Sequence, residues 1–296
     1  MMVTAHVVPA VCPASLVIFT FPPSTMFTTL KALTILAVVT MAAASGDVIG
    51  DTEAICGTDQ SQASVALKDS ETTKNQLAQS VARLKISGGW CTAWLWGSEG
   101  HLVTNNHCIG SAATAIAEFG AECATATDPN NGINGACVGT YVSNSSMLII
   151  TDPTLDFTLV KLNVNHGINI TQFGYLQARD SAVPLNDPIY IIGHPGAKPK
   201  CITYLSDDGK PPRITNTSTA SLCGEQDTLA YNVDTEGGSS GSPILGALDN
   251  KVVALHNCGG CTATGGANTG NKIELIIKLL KSKNLLPKDA VAGDRC

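Results

Sequence analysis

The chain has 296 residues, 44% of them hydrophobic, and a formal net charge of −6. No basic block is longer than two residues, which excludes a nucleic-acid partner held through its phosphates. Its 28 glycines, with frequent Thr, Ser and Asn, suit a turn-rich β protein rather than a helical bundle, and the length allows a leader plus one sizeable all-β domain or two small barrels.

The elements run in chain order from an address segment. Residues 1–25 read as an upstream extension carrying a lone Cys12. Residues 26–44 read as a signal peptide: Met26 to Lys31 is weakly positive, Ala32 to Ala44 is apolar, and Ala42–Ala44 offers a small-residue cleavage site. The apolar run is too short for an ordinary transmembrane helix. Residues 45–79 are polar and aperiodic, an N-terminal arm or pro-segment. From Ser80 onward, short apolar runs alternate with turn residues. Strands are expected at Val81–Ile86, Cys91–Trp96, His101–Thr104, Met147–Thr151, Phe157–Leu162, Ile189–Ile192 and Val252–Leu255. Asp128–Gly135 is a turn cluster. Ile273, Ile276, Ile277 and Leu280 recur at helical spacing until Asn284 and Pro287 end the run, which predicts a single amphipathic C-terminal helix. Many strands before one helix argue for a β-barrel fold.

Cysteine usage points to export. Eleven cysteines become ten once Cys12 leaves with the leader, and an even set in an exported chain implies disulfides. Cys91–Cys108 would clamp a hairpin. Cys123–Cys137 and Cys201–Cys223 are the local pairs. Zinc at Cys258 and Cys261 lacks a second ligand pair. Sequons at Asn144, Asn169 and Asn216 fit a eukaryotic secretory route.

Three segments carry chemistry. In Leu102-Val-Thr-Asn-Asn-His107-Cys108 a strand runs into a His and a Cys. In Leu155-Asp156-Phe-Thr-Leu-Val-Lys-Leu162 an acid opens a buried strand. In Thr235-Glu-Gly-Gly238-Ser239-Ser240-Gly241-Ser-Pro243 glycines flank a Ser in a tight turn. A Ser hydroxyl is a poor nucleophile until an imidazole takes its proton, and an acid on the other ring nitrogen fixes the tautomer. Glycine two before the Ser lets main-chain N–H groups converge, so those of Gly238 and Ser240 form a candidate oxyanion hole. The alternative acid, Asp152, precedes Pro153 and reads as a turn residue. Ser239 and Ser242 are the alternative nucleophiles, and His166 and His194 sit in loop-like contexts.

Taken together, from about Ser80 to Ile277, these segments resemble the chymotrypsin/trypsin-like serine protease superfamily. The closest likeness is to the bacterial-type branch of glutamyl and lysyl endopeptidases, marked by Thr235–Pro243, Gly193-His-Pro-Gly196 and Val252-Val-Ala-Leu-His256. The resemblance implies two six-stranded antiparallel Greek-key β-barrels with the boundary near residues 175–185, within a protease domain spanning residues 80–296. It implies a secreted, monomeric serine endopeptidase with no metal or organic cofactor, acting through His107, Asp156 and Ser240. The partners would be protein or peptide substrates and a proteinaceous inhibitor, with no membrane contact after signal removal. Asp234 matches the acid that binds Lys or Arg in trypsin-like enzymes, which favours a preference for basic residues, while Thr235 and His256 match residues that hold a substrate carboxylate in glutamyl endopeptidases, though His256 also occurs in the lysyl branch. Gly259 and Gly260 would line the pocket wall. The lysyl branch further suggests that Cys56 pairs with Cys261 or Cys258. The chain departs from trypsin at Ser239, where an Asp normally pairs with a new amino terminus, and it lacks an activation motif, so activation by an Asp–amine pair is not expected. Two other readings stay open: a catalytically inactive homologue acting as a secreted binding or effector protein, and a disulfide-rich structural protein.

Overall fold

The structure is a computed structural model and describes residues 54–110, 116–262 and 264–293. The upstream extension, the signal peptide, Cys12 and Cys296 lie outside the described residues. The chain runs through strand β1 (Gln62–Ala63) and helix α1 (Thr72–Ala78) into β2 (Val81–Ile86), β3 (Gly89–Trp96) and β4 (His101–Thr104). The one-turn helix α2 (Asn106–Ile109) follows, then β5 (Ile116–Phe119), β6 (Thr140–Ser143), β7 (Ser146–Asp152) and β8 (Phe157–Leu162). The second half holds β9 (Ile189–Gly193), β10 (Cys201–Thr203), β11 (Ile214–Thr219), β12 (Thr228–Tyr231), β13 (Pro243–Gly246), β14 (Val252–Cys258) and β15 (Asn268–Lys272), and closes on α3 (Ile273–Ser282).

The strands form two curled antiparallel sheets. The first has the order β6-β5-β2-β3-β4-β8-β7, and the second β1-β10-β9-β13-β14-β15-β12-β11. The expected six strands per barrel are recovered once three local features are recognised. In the first sheet β6 and β7 are one strand bent at Asn144–Ser145, so its two halves pair with β5 and β8. In the second, β1 is added by the arm, pairing Gln62 with Ile202 and Ala63 with Cys201, and β11 is an extra ribbon on β12.

Period-two alternation sorts the side chains. Leu84, Leu95, Leu102, Phe119 and Val160 fill the first barrel. Ile189, Ile191, Leu229, Tyr231 and Val253 fill the second. A third cluster joins them, with Val81, Trp94, Val103 and Phe157 from the first sheet meeting Tyr190, Ile192 and Leu255 from the second. Ile273, Ile276, Ile277 and Leu280 of α3 enter this shared cluster fully buried, as the helical spacing predicts. Burying each such side chain contributes about 1.5–3 kcal/mol. Leu67 and Ala78 of the arm belong to the same cluster.

Disulfides link Cys91 to Cys108, Cys123 to Cys137, Cys56 to Cys261 and Cys223 to Cys258. The expected Cys201–Cys223 pair is therefore corrected. β14 carries Cys258 to within 6.0 Å of Cys223, Cα to Cα, while Cys201 sits on β10, near the opposite end of the strand order. Cys201 is a buried thiol whose burial pushes its pKa up to about 12. Asn144, Asn169 and Asn216 are all exposed.

Candidate active site

His107 lies on α2, directly after β4 delivers the chain to the seam between the sheets. The Cys91–Cys108 bridge fastens this turn to β3. Asp156, at φ +40° just before β8, faces it. Both carboxylate oxygens of Asp156 engage the same residue: Oδ1 accepts the main-chain N–H of His107 at 3.0 Å, and Oδ2 lies 2.8 Å from Nδ1 of its ring. A carboxylate only accepts, so Nδ1 carries the proton and Nε2 is the basic nitrogen. Buried Asn105 donates from its amide to the Asp156 carbonyl at 2.9 Å and holds the acid's backbone. Asp152, the alternative acid, accepts from the N–H groups of Thr154 and Leu155 and caps a turn.

Ser240 stands in a tight loop before β13. The N–H of Ser239 bonds to the Glu236 carbonyl at 2.9 Å, closing a turn whose third residue, Gly238, has φ +100°. A Cβ at Gly238 would lie 2.8 Å from the His194 carbonyl, and one at Gly241 would collide with the Thr92 carbonyl, so both positions require glycine. Thr92 ties the loop to the first sheet: its hydroxyl donates to the Gly238 carbonyl at 2.9 Å and accepts from the His194 N–H at 3.0 Å, and its N–H bonds to the Ser240 carbonyl at 2.8 Å. His107, Ser240, Gly237 and Gly238 line one cleft of about 460 Å³, together with Ile86 and Trp90. The His107 and Ser240 motifs thus converge on a single cavity, and Asp156 joins them through its contacts with His107. An imidazole with its inner nitrogen held by a buried acid, in the same cleft as a Ser hydroxyl beside a glycine-shaped loop, has the parts for acyl transfer.

The specificity candidates do not line that cleft. Asp234 is buried and accepts the N–H of Cys56 on one oxygen and of Gln60 on the other, both at 2.8 Å. Burial raises its pKa, and the two arm N–H groups oppose the rise. Thr235 exchanges hydrogen bonds with Ala54. His256 is fully buried, with Nδ1 2.8 Å from the Tyr231 hydroxyl, which itself donates to the Thr269 carbonyl. Desolvation lowers the pKa of His256 to about 3, so its ring is neutral. Gly259 is buried beside the Cys223–Cys258 bridge. Asn268, which has no distinctive motif in sequence, organises this corner. Its amide donates to the Ala54 and Val233 carbonyls at 2.7 Å, and its oxygen accepts from Gly260 and Cys261. Asn268 and Thr92 lie outside the sequence motifs, and Asn105, though inside the His107 motif, carries no local sign of its role, because each acts through one side-chain amide or hydroxyl on distant main chain.

Residues 91–255 match the model of the trypsin-like peptidase domain, and the chain belongs to that family. It is 37% identical over 248 residues to Secreted RxLR effector protein 73 of Plasmopara viticola, a match covering 81% of this chain and 58% of that relative's length. Among solved structures it is similar to the inactive form of Rv3671c protease, with a TM-score of 0.52 and 14% identity, covering 77% of this chain and 98% of that one. It is also similar to a variant of the HtrA-type protease AlgW with tripeptide, with a TM-score of 0.50 and 16% identity, covering 70% of this chain and 60% of that one. At such identities the two structures speak for the fold alone.

Proposed function

We propose that the protein is a secreted serine endopeptidase. Ser240 attacks the peptide carbonyl, His107 takes its proton and returns it to the leaving amine, and Asp156 holds the imidazole. The N–H groups of Gly238 and Ser240 receive the oxyanion. The acyl-enzyme on Ser240 is then hydrolysed by water that His107 deprotonates, which regenerates the free hydroxyl. No metal or organic cofactor enters this cycle. The carrying observation is the paired contact of Asp156 with His107 at the wall of the cleft that also contains Ser240. The four disulfides among the described residues fit an oxidising destination outside the cell. Ser239 in place of the trypsin acid, and the Cys56–Cys261 link to the arm, support placement in the glutamyl/lysyl endopeptidase-like branch.

The test is fluorophosphonate labelling of purified protein together with peptide-library cleavage, each against Ser240→Ala. The expected result is labelling and hydrolysis by the parent chain and neither by the variant. A folded parent that does not label would favour the second reading, a silent homologue acting as a binding or effector protein, which the effector relative supports. The library also settles side-chain preference. Asp234 is engaged by the arm and His256 is neutral, so neither charged preference has an uncommitted opposite charge in these residues.

A further inference from the structure

Arg83 is a charged residue buried to 1% exposure, on the face of β2 that also presents Val81 to the shared cluster. Its fork is fully engaged. Nε and Nη2 reach the two oxygens of Glu118, itself 1% exposed, at 2.9 and 3.1 Å. Nη1 donates to the carbonyl of Ala136 at 3.0 Å and to that of Ala197, across the seam between the sheets, at 3.1 Å. Burying such a pair is a poor source of stability, because desolvating two charges cancels most of their attraction. Its geometry is therefore the more informative property.

The Ala197 carbonyl belongs to the turn against which the Ser240 loop is shaped. Ala197 holds φ +54°, a conformation that a non-glycine residue adopts only under constraint, and its carbonyl also accepts the Gly135 N–H at 3.0 Å. In the same turn the Gly196 N–H bonds to the Gly237 carbonyl at 2.7 Å. Gly238 packs directly on the turn, where even a Cβ would lie 3.1 Å from the Ala197 nitrogen. Fixing the Gly237 carbonyl on Gly196 fixes the plane of the Gly237–Gly238 peptide, and that peptide's N–H belongs to Gly238.

We propose that Arg83 is a positioning residue for the oxyanion hole: anchored by Glu118 in the first barrel, it holds the Ala197 turn from across the seam and thereby aims the Gly238 N–H. This rests on the serine-peptidase reading. Interactions aimed at charge that develops only in the transition state act on the chemical step, so the role belongs in kcat.

Two variants test it. Arg83→Met with Glu118→Leu replaces the ion pair by apolar groups of similar size, a change that folds tolerate well, while Arg83→Lys keeps the charge but loses the fork. With peptide substrates both should lower kcat by about 10–100-fold and leave KM within about threefold, because small misplacements at a reacting centre have effects of that order. Affinity for a peptide boronic acid, which mimics the tetrahedral state, should fall in parallel with kcat/KM, while affinity for a product peptide stays unchanged. A purely structural role would instead lower the melting temperature and the active fraction while leaving kcat per titrated active site, and boronic-acid affinity, unchanged. A folded variant of either kind with kcat within twofold of the parent overturns the proposal. If the double variant does not fold, Arg83→Lys alone decides by the same criteria. A parent chain that neither labels nor hydrolyses overturns the peptidase reading and this one together.

Discussion

Asp156 commits one oxygen to the main chain of His107 and the other to its ring, so position and tautomer are set by one side chain. Asp156→Asn preserves the shape but turns one acceptor into a donor, which favours the tautomer with the proton on the wrong nitrogen. The expected outcome is a fall in kcat of about 10⁴-fold with a melting temperature close to the parent's, measured by steady-state hydrolysis and thermal unfolding. A variant retaining a tenth of the activity would remove Asp156 from the mechanism. This pair was legible in sequence because each partner sits in a short local motif, His before Cys and Asp before an apolar strand. Arg83 was not. On an alternating strand a charged residue reads as solvent-facing, and only the second sheet converts that outward face into an interior.

At the scale of elements, the segment from Ala54 to β1 behaves as part of the second barrel, and Leu67 and Ala78 beyond it pack into the shared cluster. β1 extends the barrel's edge, Cys56 is bridged to Cys261, and Asp234 and Asn268 grip the main chain between them. Asp234 was read from its place six residues before Ser240, and that place is real. What sequence could not supply was the arm, whose contacts with Asp234 span more than 170 positions. The disulfide partners show the same limit: Cys91–Cys108 and Cys123–Cys137 close short loops and were readable, whereas Cys223 passes over Cys201 for a strand farther along. Asp234→Asn should therefore lower the melting temperature and leave the cleavage profile unchanged, since the amide weakens acceptance of two N–H groups. Loss of cleavage after Lys and Arg alone would assign Asp234 to substrate binding. Replacing Cys56 and Cys261 together by Ser should reduce unfolding free energy by about 2–5 kcal/mol in denaturant titration.

For the whole molecule, buried imidazoles set the response to acid. His256 and His194 are fully buried, and desolvation depresses both, His256 to about 3 and His194 well below its ordinary value. In the unfolded chain a histidine titrates near 6.5. Below that pH the unfolded state takes up protons that the folded state refuses, so stability is lost as pH falls from about 6.5 towards 3. The limiting slope is about 1.4 kcal/mol per pH unit for each group. Melting temperatures across this window should fall steeply for the parent and less steeply for His256→Gln; equal slopes would show that His256 is protonated while folded. The barrels and the C-terminal helix were legible because alternation and 3.6-residue spacing are local, while the bend that merges β6 with β7 and the docking of the arm depend on pairing at a distance. That docking has a consequence for maturation. Lys68, Asp69 and Ser70 form an exposed corner between two anchored stretches. A protease nicking there would produce two polypeptides that still travel as one particle, held by a covalent staple on one side of the cut and by core packing on the other. Scission and shedding would then be separate events, and the fragments would part on a denaturing gel only in the presence of a thiol.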